Sequence, residues 1–172
     1  RFSLRAKASN FTIEDIKEGV EFAHSLNKKV YVTVNIVPHV NDLKDIEQYL
    51  YDLQNVGVDA VIVSSLAIVM FMKENNFTME CHISTQVSAS NASYLDFYQR
   101  LNCPRVVLAR ECTIEDIKSI RKHNDLELEV FIQGGLCSSY SGRCTLSNYF
   151  VCRDANRGGC AHSCRWDYTL YQ

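Results

Sequence analysis

A chain of 172 residues is about one domain's worth and can bury a substantial single core. Its apolar, aromatic and charged fractions are ordinary for a globular protein, which excludes disorder. The net charge of −2 excludes a nucleic-acid footprint spread over the whole surface, though not a local one.

The most apolar run, Ala60 to Met72, is too short to span a bilayer and contains Ser64 and Ser65, so no membrane partner is expected. No charged segment followed by an apolar one opens the chain, and the expected location is cytoplasmic. The sequence opens on Arg1, in what reads as a working segment, and is expected to be a piece of a longer protein.

Residues 13–26 set Ile13, Ile16, Val20, Ala23 and Leu26 along one stripe, which predicts a helix. A β-branched run at 29–36 predicts the first strand. Residues 41–56 repeat the helical stripe with Leu43, Ile46, Leu50, Leu53 and Val56. Strands follow at 59–65, 79–84, 105–109 and 127–133, with helices at about 66–74, 91–101 and 113–123 between them. Thr-Ile-Glu-Asp-Ile-Lys occurs at 12–17 and again at 113–118, and each Thr can cap a helix whose first turn carries Asp. Either two good helix starts arose separately, or equivalent βα units reuse one device. Strand–helix alternation predicts a parallel sheet of right-handed βαβ units. No Gly-rich phosphate loop follows a strand, which favours a (β/α) barrel over a doubly wound sheet. Five strands cannot close eight. The expected fold is therefore α/β: an incomplete TIM-like barrel fragment over 1–134, followed by a Cys-rich segment over 135–172 packed on it. Open strand edges would invite self-association.

Eight cysteines are unusual in a chain without a secretory signal, and metal or catalytic roles fit them better than disulfides. Cys81, Cys103 and Cys112 are scattered, and five fall between Cys137 and Cys164. Four of them, Cys137, Cys144, Cys160 and Cys164, follow the spacing C-x6-C-x15-C-x3-C. Four thiolates suit zinc or an iron–sulfur cluster. Structural zinc sites favour tight pairs, and only Cys160 and Cys164 form one, which tilts the balance toward a cluster and leaves zinc open. Cys152 is the spare.

Tyr140-Ser-Gly-Arg-Cys144, Arg153-Asp-Ala-Asn-Arg-Gly158 and Cys164-Arg-Trp166 closely resemble the collagenase-like peptidase family U, number thirty-two. Phe2-Ser-Leu-Arg-Ala6, His82-Ile-Ser-Thr-Gln86 and Leu108-Ala-Arg-Glu111 resemble it too. The resemblance implies a TIM-like barrel in a longer protein. Despite the family's name, it also implies RNA modification: members include a prephenate-dependent tRNA wobble-uridine hydroxylase and a hydroxylase of large-subunit ribosomal RNA. Related members act in oxygen-independent ubiquinone hydroxylation and carry a 4Fe–4S cluster, which implies one here on the four cysteines. The expected partner is RNA, transfer or ribosomal, and the expected co-substrate is prephenate or a similar organic acid. Gln133 and Gly135 depart from the family's usual His and Ala, so no role of that His carries over.

Barrel chemistry gathers at the C-terminal ends of strands, which singles out Asn35, Ser64, Ser65, His82, Gln86, Arg110 and Glu111. Arg5 precedes the first helix and would emerge at the same end. Arg forks bind carboxylates bidentately, so Arg5 and Arg110 are candidate anchors for the acid, with strand-end ion pairs as the bland reading. His82 is a candidate acid/base or a structural histidine, and Glu111 a catalytic carboxylate or a helix cap beside Thr113. Arg143, Arg153, Arg157 and Arg165 surround the cysteines, either to meet RNA phosphates or to donate hydrogen bonds to a thiolate-bound cluster. The second reading is preferred for Arg143, and Arg143 and Arg153 are the candidate cofactor-binding residues. No Gly-x-Ser-x-Gly elbow and no His-Glu-x-x-His helix is present. The competing readings are a peptidase and a non-catalytic, metal-stapled scaffold.

Overall fold

The computed structural model describes residues 2–4 and 8–171. Helices and strands alternate as α1 (Ile13–Ser25), β1 (Tyr31–Val34), α2 (Val40–Asn55), β2 (Ala60–Val63), α3 (Leu66–Glu74) and β3 (Glu80–Ile83). They continue as α4 (Ala92–Arg100), β4 (Arg105–Val107), α5 (Ile114–His123) and β5 (Glu127–Glu129). The repeated Thr-Ile-Glu-Asp builds the same capping box twice. Asp15 N–H donates to Thr12 Oγ1 at 3.1 Å while the Asp15 carboxylate accepts from Thr12 N–H at 2.8 Å. Thr113 and Asp116 repeat this at 3.1 and 2.9 Å. These bonds hold both carboxyls below the ordinary Asp range, the backbone donor contributing most. At their other ends α1 to α4 are closed by Asn27, Gly57, Asn76 and Asn102 at positive φ, which turns the chain straight into the next strand.

All five strands are parallel and lie in the order β1-β2-β3-β4-β5, without a reversal. The period of two sends Val34, Val61, Val63, Ile83, Val106 and Leu108 to one face, where they form the core with Ile46, Leu50, Leu53, Ile68, Leu95 and Ile120 of the helices. The other face carries one paired row across the sheet, Thr33, Ile62, His82, Arg105 and Glu127. It is largely polar. Among the described residues no further strand pairs with β1 or β5.

Residues 135–171 are not wholly irregular. A short helix, α6 (Leu146–Val151), and 3-10 turns at Ala155–Arg157 and Ser163–Arg165 interrupt the loop. The sequence does not signal this helix, because six residues cannot display a 3.6-residue period and its inward position is polar. Ser147 is buried and its hydroxyl accepts from Ala161 N–H at 3.0 Å.

Candidate functional site

At the C-terminal ends of the strands lies a cavity of about 570 Å³, lined among others by Thr33, Asn35, Ser84, Gln86, Arg110 and Cys137. A smaller cavity of about 260 Å³ adjoins it, and Cys137, Cys144, Cys160 and Cys164 all line it, with Asn156, His162 and Arg165. Leu4, Gln86, Arg110, Gly135 and Cys137 belong to both walls. The four cysteines spaced over 28 positions of sequence are thus brought round one space. Cys152 does not line it. It caps α6 at φ +52 and is exposed.

The sequence motifs between the cysteines hold this segment against the sheet. Ser141 is fully buried, and the Glu111 carboxylate accepts from its backbone N–H at 2.6 Å and from its hydroxyl at 3.1 Å. Ser88 donates its hydroxyl to Ser141 O. Gly142, at φ +68, lies so close to the turn after β3 that a Cβ would stand 2.0 Å from Gln86 O. Asp154 caps the next turn by accepting from Asn156 N–H at 2.8 Å, and Gly159 donates to Asp154 O at 2.7 Å. Asn156 donates its amide to Cys144 O at 3.1 Å and accepts from Val37 N–H at 2.8 Å, tying a cysteine loop to the exit of β1. Arg157 reaches Asp42 in the first turn of α2 at 2.6 Å.

Glu111 is therefore not the cap of α5, a role Thr113 and Asp116 fill. Burial alone would raise its carboxyl, but hydrogen bonds from its own backbone and from Ser141, with the Arg110 charge beside it, hold it below the ordinary Glu value of 4.5. Arg110 donates to Ser139 O at 2.8 Å, and its buried Nε has no hydrogen-bond partner among the described residues. Arg5 lies outside the described residues.

His82 sits inside β3, fully buried, with Nε2 2.8 Å from Glu80 and its ring edge-on to Tyr31 at 4.8 Å. It lines neither cavity. Asn35 and Ser64 act locally: Asn35 Oδ1 accepts from Leu4 N–H, and Ser64 donates to the carbonyls of Asn35 and Ile36. Ser65 precedes α3 as its N-cap residue. Of the four arginines around the cysteines, Arg165 lines the small cavity. Arg143 is exposed and Arg153 donates weakly to Cys160 O at 3.5 Å; neither is part of the cavity wall. Arg165 and Asn156 carry no spacing signal that would have ranked them above Arg143 and Arg153.

Four cysteines on the wall of one cavity are a soft donor set of the kind that suits a thiolate-held metal group. Among the described residues no three of His, Cys, Asp and Glu converge on one metal-ion position. Backbone N–H of His162 donates to Cys160 Sγ at 3.4 Å, the kind of bond that tunes a ligating thiolate. Away from this site, Cys81 and Cys103 lie side by side in the core behind β3 and β4, where the Cys103 thiol and burial push the Cys81 thiol well above its ordinary range.

Three relatives and one solved structure bear on what this arrangement belongs to. The tRNA hydroxylation protein P1 of Bacillus subtilis is 46% identical over 171 residues, covering 99% of this chain and 40% of that protein. The 23S rRNA 5-hydroxycytidine C2501 synthase of Escherichia coli is 37% identical, over 98% of this chain and 25% of that one. A collagenase of Porphyromonas gingivalis is 35% identical, over 98% and 43%. The chain thus spans less than half the length of each. The solved U32 peptidase Mk0906 shares the fold, with a TM-score of 0.61 at 13% identity over 74% of this chain and 55% of that one. Peptidase family U32 matches residues 1–172, and the chain belongs to that family.

Proposed function

We propose that this chain is the cluster-bearing part of an RNA hydroxylase. The observation that carries the reading is the shared wall: Arg110, Gln86 and Cys137 border both the four-cysteine cavity and the larger cavity at the strand ends. Cys137, Cys144, Cys160 and Cys164 would hold a 4Fe–4S cluster. When bound, such a cluster supplies one-electron redox capacity beside the larger cavity. Arg110 would anchor a carboxylate of prephenate or a similar organic acid there, since it borders both spaces. Glu111 acts by holding Ser141, and His82 by packing, so neither needs to touch the acid.

RNA as substrate is supported by two relatives, one named for tRNA and the other for 23S rRNA. The sheet is read as five strands of an incomplete TIM-like barrel, because its order never reverses and its helices share one core on one face. The whole protein would work in the cytoplasm, where RNA is found. No helix among the described residues is long and apolar enough to cross a membrane.

The relative named collagenase keeps a peptidase reading in view. One experiment separates the two. Mass spectrometry of tRNA and ribosomal RNA nucleosides from a deletion strain should show loss of a hydroxylated nucleoside, restored by the intact gene. Unchanged nucleosides, with cleavage of denatured collagen by the purified protein, would replace this reading by the peptidase.

A further inference from the structure

Beside the cysteine cavity the chain exposes a cluster of aromatic rings. Phe150 of α6 is its hub, with ring centroids 5.1 Å from Tyr149, 6.0 Å from Trp166 and 5.8 Å from Tyr168. The pairs are tilted or edge-on, which leaves outer ring faces unpaired. Tyr149 is 82% exposed and Trp166 44%. Such exposure is costly for aromatic surface unless something covers it. The cluster is nonetheless held in place: Tyr168 donates its hydroxyl to Ser163 O at 2.6 Å, and α6 packs on the turn Ser163–Arg165. That turn carries Cys164 and Arg165, both in the wall of the cysteine cavity.

We propose that this ring cluster is a stacking platform for an unpaired base of the RNA substrate, which rests on the RNA reading above. Two features favour RNA over a protein surface. Residues 135–172 carry four Arg against two Asp, in a chain that is acidic overall; Arg157 is spent on Asp42 and Asp154 on capping its own turn, which leaves Arg143, Arg153 and Arg165 against Asp167. Aromatic faces beside arginines are the means by which proteins take single-stranded bases, with little demand on sequence. The platform abuts the cysteine cavity, so a base stacked on it lies next to the site where the chemistry is proposed.

Trp166 is the chain's one tryptophan and reports directly on stacking. A labelled single-stranded uridine-containing oligonucleotide should bind the chain at low salt, and its binding should quench Trp166 fluorescence. Tyr149→Ala and Trp166→Ala should each weaken binding about tenfold, the scale of one lost stack, while Trp166→Phe should restore most of it. Phe22→Ala, on the exposed side of α1, should change nothing. Retained secondary structure by circular dichroism guards against misfolding. Wild-type affinity in both Ala variants would overturn the platform and leave the RNA reading standing. A wild-type chain that binds no RNA would overturn both. Trp166 shielded from acrylamide in the full-length protein before RNA is added would show the rings to be covered by protein, and would also overturn the platform.

Discussion

Glu111, at the exit of β4, grips Ser141 at both its N–H and its hydroxyl, 2.6 and 3.1 Å away. Ser141 lies between Cys137 and Cys144, so one carboxylate fixes the first cysteine loop to the sheet. Hydrogen bonds to a charged group in a partly exposed place are worth about 1–2 kcal/mol. Glu111→Ala should therefore loosen residues 137–144 locally, read as faster amide exchange at Ser141, with little change in the melting of the helices packed on the sheet. Unchanged exchange would remove Glu111 from this role. The pH dependence follows from its depressed carboxyl. The grip is complete above the ordinary Glu value of 4.5 and is lost as pH falls through the lower folded value. The protection of the Ser141 amide, taken relative to its intrinsic exchange rate at each pH, should stay flat from neutral pH down to about 5 and fall only in stronger acid.

Gly142 offers a sharper test of the same docking. Its φ of +68 and the 2.0 Å approach of any Cβ to Gln86 O leave no room for a side chain, and the obstacle is backbone. Gly142→Ala should displace the loop, costing about 1–3 kcal/mol or more. Gly135→Ala, where nothing lies within 4 Å, should be nearly neutral. Limited proteolysis between 137 and 144 would separate them. Equal resistance in the two variants would mean the loop is not seated where the geometry puts it.

Much of the fold was legible because it is local. The helical stripes of α1 and α2, the β-branched runs and the twice-used Thr-Ile-Glu-Asp report on partners within four residues. The site was legible only where spacing carries chemistry, as in the four cysteines. Glu111 reads in sequence as a catalytic carboxylate or a helix cap beside Thr113, and its partner is thirty residues on. His82 looked like a strand-end group, but alternation tells a residue's face and not its depth. Arg143 and Arg153 are the sequence's candidates for a thiolate-bound cluster, while the arginine of this segment in the cavity wall is Arg165, whose place is set by the turn Ser163–Arg165.

Arg110 tests the acid site. Its guanidinium is anchored to Ser139 O at 2.8 Å, and the residue borders both cavities. A planar fork there should bind a dicarboxylate, and Lys cannot reproduce the two parallel hydrogen bonds. Calorimetry with prephenate should show affinity falling about tenfold or more in Arg110→Ala, with little recovery in Arg110→Lys. Full recovery in the Lys variant would reduce Arg110 to a point charge.

The cysteines give the decisive measurement. Cys137, Cys144, Cys160 and Cys164 line one cavity, whereas Cys152 sits outside its wall on the left-handed cap of α6, and Cys81, Cys103 and Cys112 lie in β3, before β4 and after β4. A cluster held by four thiolates shares its binding energy with the loops that carry them. Anaerobic purification should therefore yield about four irons per chain, and Ala at any of the four should lower that number sharply. The same four variants should open the 137–164 segment to protease, a readout independent of any activity. Cys152→Ala should keep both iron and protection, because its removal takes nothing from the cavity wall. Cys103→Ala should keep the iron and instead destabilise the core, where its thiol is packed against Cys81. If Cys152→Ala strips the iron while one of the four named variants retains it, the ligand set is wrong. A colourless anaerobic protein with one zinc per chain would leave the ligands standing and turn the site into a structural staple.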